Sequence, residues 1–372
     1  MIEVLAGGPL STIQDRGRIG LRRIGVPRAG VLVPAWMTIA NVLVGNRPEA
    51  PVIECFEGGL RLRVGAESLL VAHVGRAEVV LVSDGVRRPL APWRGHRLPP
   101  GAEIALRDTG AARLAVLAIR GLDIPSRLGS ASTYAKAALG GIDGRALASG
   151  DWLPLAGDPD APELACEPFG APSGASTAAL AREREHRSVP AESSDRASRE
   201  DESTPVLRAV PGPQHEAFEE KTIGAFFDTV WTLSAEADRM GARLEGPALE
   251  HRDASARDIV SDAIVPGSVQ VPGSGQPIVM LADAHTAGGY PKIATVLSAD
   301  LPLLALHRPG TRFRLARVGV EEGIAVAREA ARALAEHIGS VRPAPATRPD
   351  TARLLAHNLV DGVTGGDPDA EE

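Results

Sequence analysis

The chain has 372 residues, 44% of them apolar, and a net charge of −7, so it can bury the cores of about two domains. Aromatic residues make up only 3%, basic blocks are missing, and no apolar run reaches the roughly 18 residues of a membrane helix. Nucleic acid and the bilayer are therefore excluded as partners. With no basic leader at the N-terminus, the expected location is the cytoplasm.

Short strand-like runs fill the first half: Ile2–Leu5, Val52–Phe56, Leu60–Val64, Leu69–Val74, Glu78–Val82, Ile104–Arg107 and Leu114–Ile119. Each is bounded by Gly, Pro or Asp, which is the pattern of a barrel or sandwich. One helix, Ala35–Leu43, interrupts them and stops at Gly45-Asn46. From 157 to 205 the composition shifts to Ala, Ser, Pro and charge, which cannot bury enough surface to order itself. His186 lies in this segment and Cys166 beside it; the two cysteines, Cys55 and Cys166, are expected as reduced thiols.

Order resumes with a strand at Val206, a helix over Gln214–Phe227, and strands at Val230–Ser234, Val269–Val271, Ile278–Ala282, Ile293–Leu297 and Phe313–Val318. Ile324, Ala327, Ala331, Leu334 and Ile338 then recur at helical spacing, so Val320–Ile338 reads as an amphipathic helix. The expected organisation is a β-rich unit over 1–156, a flexible linker or insertion over 157–205, a second β-rich unit over 206–340 and a tail over 341–372.

Familiar catalytic templates are missing. There is no phosphate-cradling G-x-x-x-x-G-K-[ST], no G-x-G-x-x-G after a strand, no H-E-x-x-H and no G-x-S-x-G, and the nine histidines show no metal-ligand spacing. No metal is therefore expected. Four polar clusters remain. Asp15 and Arg16, in S-T-I-Q-D-R-G-R-I-G, either present an anion site or form a turn ion pair. Asn41 is a buried polar residue near Asn46, which reads better as a helix cap. Asp238 and Arg239 follow a strand and precede a glycine. The last cluster surrounds the apolar run Ile278–Ala282. Gln270 and Gln276 flank a Pro-Gly turn before it; Asp283, His285 and Thr286 follow it; Gly288 and Gly289 permit close backbone approach or positive φ; Lys292 offers a charge to phosphate or carboxylate.

These segments, with L-G-S-A-S-T-Y, L-G-G-I-D-G-R-A-L-A-S-G-D, A-D-R-M-G-A-R-L-E-G-P and V-P-G-S-V-Q-V-P-G-S-G-Q-P-I-V-M-L-A-D-A-H-T-A-G-G-Y-P-K-I-A-T-V, stand in one order along the chain. In that order they resemble the biotin-dependent carboxyltransferase/allophanate hydrolase subunit 2 family. Its members include the C subunit of the bacterial ATP-dependent 5-oxoprolinase and a region of urea carboxylase. The resemblance implies a mainly β fold of two cyclophilin-like β-barrel domains with a few helices. It implies partner B and A subunits, and ATP-coupled opening of the 5-oxoproline lactam to L-glutamate, with ATP held here or by the partner. Biotin-dependent carboxyl transfer and non-catalytic regulation are the alternatives; biotin belongs only to the first of these. Within the 5-oxoprolinase mechanism, Lys292, Arg16 and Arg239 would meet phosphate, the backbone near Gly288 and Gly289 would meet the oxyanion, and Asp283 or His285 would be the base. The chain departs from the family pattern at Ala29, Ala131, Ala284 and Ala287, where polar residues are expected.

Overall fold

The computed structural model describes residues 1–110, 112–157, 161–169 and 204–344. Most expected strands form. Among the described residues four α-helices accompany them: Pro34–Leu43, Glu220–Asp228, Leu301–Leu306 and Val320–Gly339. None of these helices is long and apolar enough to cross a membrane. The fold is mainly β, as the sequence implies.

In the first half the strands divide between two sheets. One runs in the order Trp152–Leu153, Ile2–Gly7, Leu60–Val64, Glu103–Asp108, Glu78–Ser83, Val86–Leu90. The other begins Leu10–Gln14, Val52–Phe56, Leu114–Ile119, Leu69–Val74, Arg94–Leu98. Residues such as Ile13, Ile53, Leu62, Val79 and Leu117 face each other between these sheets and form one core. Two further strands extend the second sheet, Leu164–Ala165 and then Arg342–Pro343. The expected linker and the expected tail each therefore contribute a short strand to this sheet. Low apolar content hid these strands, because their pairing uses main-chain groups that any residue supplies. The rest of the expected linker and tail, including His186, lies outside the described residues. Cys55 is buried and Cys166 half-buried, both as free thiols.

The second half closes into a seven-stranded barrel. Its order is Val206–Pro211, Lys292–Val296, Ser268–Gln270, Ile278–Met280, Gly241–Glu245, Trp231–Leu233, Arg312–Arg317. Closure leaves no free sheet edge. A short ribbon, Asp262–Ala263 paired with Ala287–Gly288, stands at the barrel mouth. The helix expected over Gln214–Phe227 is broken: a single turn at His215–Ala217 is followed by extended Phe218 and Glu219, and the helix starts at Glu220.

The two halves share one apolar cluster. It runs from Trp36, Met37 and Leu43 on the first helix, through Leu70 and Val116 of the second sheet, to Phe226, Trp231, Leu281 and Leu304 around the barrel. Pro34 opens that first helix, where its missing N–H costs nothing. Across the same boundary lies an ionic link. Arg239, buried in the barrel half, donates two 3.0 Å hydrogen bonds to Asp283 and one of 2.6 Å to the carbonyl of Gly30. Its Nη1 donates to the carboxylate of Glu54, on the strand Val52–Phe56. Glu54 also accepts the N–H of Leu32 at 2.8 Å. Burial pushes the Glu54 carboxyl up against the pull of Arg239, while the two acids hold the Arg239 guanidinium charged against its own burial.

Removing Arg239 would leave two buried carboxylates unpaired. Arg239→Ala should therefore lose about 3–5 kcal/mol of unfolding free energy, read from urea denaturation. A loss below about 1 kcal/mol would show that the link is not structural.

Candidate active site between the two halves

The site is assembled from one loop pair of the first half and the mouth of the barrel. The strand Leu10–Gln14 ends at Asp15, whose carboxylate accepts four local bonds: from Gly17 N at 2.7 Å, Ser130 Oγ at 2.5 Å, Ser132 Oγ at 2.6 Å and Ala131 N at 2.7 Å. These bonds tie the loop after Gln14 to the segment 130–132. Ala131 contributes its main chain here, so this contact needs no polar side chain. Arg18 then reaches back under the segment, donating to the carbonyls of Arg127 at 3.2 Å and Ser132 at 2.7 Å. A side chain at Gly140 would come within 2.5 Å of Arg18 Nη2, so glycine is required there.

Four residues onward, Arg22 crosses to the barrel. Its Nη2 donates to the carbonyls of Ile264 and, at 3.0 Å, His285. Tyr134 and Lys136 close the same face: Asp283 acts electrostatically on Tyr134, and Lys136 on His285. Burial, then Arg22 and Lys136, push the His285 imidazole below its ordinary value, so it is neutral near pH 7. Burial and then Asp283 push the Tyr134 phenol up, so it keeps its proton. The site thus holds a neutral base, a hydroxyl donor and several cations.

Beneath His285 lies Gln270, 2% exposed, whose Nε2 has no partner among the described residues. The point a Gly288 Cβ would occupy is 2.6 Å from Ile264 Cδ1, 2.9 Å from Gln270 Nε2 and 3.1 Å from His285 Nε2. The missing side chain at Gly288 lets the amide and the imidazole converge on one small space. Lys292, 1% exposed, donates from Nζ to Asp262 Oδ2 at 2.8 Å, and Gln214 Nε2 donates to the same oxygen at 2.9 Å. Lys292 pulls the Asp262 carboxyl down to about 2.

The carboxyltransferase domain family, subdomains A and B, matches residues 24–317. The chain belongs to that family. It is 32% identical over 333 residues to the C subunit of 5-oxoprolinase from Escherichia coli K12, spanning 87% of this chain and 93% of that one. The corresponding subunit of Haemophilus influenzae is 33% identical over 330 residues, spanning 88% and 95%. The solved urea amidolyase of K. lactis has the same fold, with a TM-score of 0.73 at 24% identity, over 90% of this chain and 20% of that one.

The expected site residues separate into two groups. Asp283, His285, Thr286, Gly288, Gly289, Gln270, Lys292 and Arg239 do gather at one end of the barrel, with Asp15 organising the facing loop. Three of them differ in role from the expectation. Lys292 offers no free charge to phosphate, because Asp262 already matches it. Asp283 is not a free base, because Arg239 holds both its oxygens. Arg239 is matched in turn by Asp283 and Glu54. Neither Gly288 nor Gly289 has positive φ; only the close approach applies, at Gly288. The main chain of Thr286 accepts from Ile264 N at 3.0 Å and that of Gly289 from Ile259 N at 2.7 Å, which binds the 259–264 segment to the site.

The other expected residues stand apart. Arg16 is exposed and lines a surface hollow with Asn46 and Arg47. Asn41 donates to Ala50 O at 2.7 Å and accepts from Asn46, fixing the turn after the first helix. Asp238 caps its own turn through Met240 N and Gly241 N. Gln276 pairs twice with the main chain of Gly246. Sequence reasoning missed Arg18, Arg22, Glu54, Tyr134, Lys136 and Asp262 as site residues. Arg18 and Tyr134 do lie inside the motifs that carry the family resemblance; the others follow no local pattern.

Gly288→Ala should displace only the flexible ends of Gln270 and Ile264, so the circular dichroism spectrum should be unchanged while activity in the complex falls about tenfold or more. An unaltered activity would remove Gln270 and His285 from the site. The lowered carboxyl of Asp262 stabilises the fold above its unfolded value of about 4, and this contribution is lost as pH falls toward about 2. Asp262→Asn should therefore flatten the acid limb of the stability curve between those values, measured by thermal unfolding against pH.

Proposed function

We propose that this chain is the C subunit of an ATP-hydrolysing 5-oxoprolinase, working in the cytoplasm with a B subunit and, in the full complex, an A subunit. The observation that carries this reading is the near-complete overlap with the bacterial C subunits, which extends over almost the whole of both chains. Fold alone would not separate the substrates of this family.

The five-membered lactam of 5-oxo-L-proline is resonance-stabilised, so its oxygen must be made a leaving group. ATP, held here or by the partner, supplies the phosphoryl group. A first water then adds to the ring carbon and the C–N bond breaks. The ring nitrogen takes a proton and becomes the amine. A second water releases phosphate and leaves L-glutamate. In this chain His285 is the base that takes the water's proton. Gln270 Nε2–H and the Tyr134 hydroxyl donate to the oxygen on which charge develops. Lys292 and Asp262 position the ribbon that carries Gly288. Asp283 and Arg239 keep His285 against the facing loop.

The family match and the urea amidolyase fold favour one second reading, carboxyl transfer from biotin on a carrier supplied in trans. The same uncapped donors fit the oxyanion of either reaction.

Co-expression with the neighbouring subunits, followed by assay of L-glutamate and ADP from 5-oxoproline and ATP, tests the proposal. Glutamate in step with ADP, only when this chain is present, is expected. A folded complex that makes none would sink it and leave carboxyl transfer or regulation. Within an active complex, His285→Gln should lower kcat about a hundredfold or more. It should also abolish the acidic fall of the pH–rate profile, because that fall is protonation of the imidazole. Retention of the acidic limb in the variant would assign the base elsewhere.

A further inference from the structure

Five arginines lie between positions 16 and 28: Arg16, Arg18, Arg22, Arg23 and Arg28. Among the described residues none of them is in an ion pair, although the chain as a whole carries a net charge of −7. Unmatched cations on one loop repel each other and gain most from an anion brought from outside. Arg18 is the exception in part, since Asp15 and Asp283 act on it.

Arg22 has no such relief. Among the described residues its two hydrogen bonds go to neutral carbonyls, its buried Nη1 has no partner, and the cation of Arg28 acts on it. The charges acting on His285 are likewise cations, Arg22 and Lys136. Lys136 is exposed on the short turn Ala135–Ala137. Beside His285 and Gly288, the N–H of Gln270 has no acceptor among the described residues. A buried donor without an acceptor is destabilising, so it is a place where a ligand acceptor gains affinity.

We propose that Arg22, Arg28 and Lys136 form an oxyanion-binding site in the cleft between the halves, with His285 and Gln270 as its floor. The group it takes is the phosphoryl or carboxylate group of a small molecule. Arg22, held at Nη2 by two carbonyls, brings a charge that no carboxylate matches, and exposed Lys136 adds a second from the solvent side. The 16–28 loop, rather than Lys292 or Arg239, then supplies the positive charge of the site. The assignment does not depend on which reaction the complex performs.

The test is calorimetric titration of the full-length chain alone, at low ionic strength, with inorganic pyrophosphate and separately with 5-oxoproline. At least one should bind, and Arg22→Gln and Lys136→Gln should each weaken it about tenfold or more, while Arg47→Gln, which makes none of these contacts, leaves it unchanged. Binding of pyrophosphate alone assigns a phosphoryl group; binding of 5-oxoproline alone assigns a carboxylate. Binding of neither, or binding that both variants leave intact, overturns the proposal. Lys136 is exposed, so its variant folds and keeps the test decisive if Arg22→Gln does not. Because no partner is present, failure here is separate from failure of the turnover assay.

Discussion

The guanidinium of Arg239 is the constraint on which the arrangement of the two halves depends. It is buried, and it meets a carboxylate from each half and a carbonyl of the first. A buried ion pair is weak evidence for net stability, because desolvation offsets most of the attraction. Its consequence is registration. Only one placement of the barrel against the strand Val52–Phe56 lets Arg239 satisfy Glu54, Asp283 and Gly30 together. The continuous apolar cluster supplies the non-directional attraction; this link selects the orientation.

That orientation sets where the chemistry can be. Asp283 lies at the inner edge of the cleft, and two residues later His285 faces Arg22 from the other half. The charges of the molecule then fall into two groups. Asp15, Glu54, Asp283, Arg239, Asp262 and Lys292 are satisfied by protein partners and hold loops in place. Among the described residues Arg22, Arg28, Lys136 and His285 form no ion pair, and Arg22 and Lys136 act on His285. Matched groups resist change, whereas unmatched ones gain by meeting a ligand, which is why the proposed base and the proposed oxyanion site draw on the second group.

The supporting loops explain the density of glycine. Gly140 lets Arg18 lie under the 130–132 segment, and Gly288 lets Gln270 and His285 approach each other. Neither is a flexible position in any useful sense. Each removes a side chain where two polar groups must come close. The ribbon of Asp262–Ala263 with Ala287–Gly288 is held from below by Lys292 and from across the cleft by Arg22. Both halves therefore shape one small loop assembly.

By itself the sequence determined many of the strands, though not Leu10–Gln14, Val86–Leu90, Arg94–Leu98 or Gly241–Glu245, together with the helices at Pro34–Leu43 and Val320–Gly339, and the family. Alternation, turn residues and long motifs are local properties, and they survive without knowledge of contacts. It also marked the Asp283–Lys292 stretch as a candidate site, since small and polar residues crowd there beyond an apolar run. It could not rank charges within that neighbourhood. Lys292 and Asp283 look free in the sequence, yet their partners Asp262 and Arg239 stand 30 and 44 positions away. Arg22 looks like a solvated loop residue, yet it contacts a carbonyl 263 positions on. Whether a charge is matched or available depends on which distant group lies within a few ångströms. Only the tertiary structure decides that, because the chain brings such groups together through the packing of two halves and not through spacing along itself.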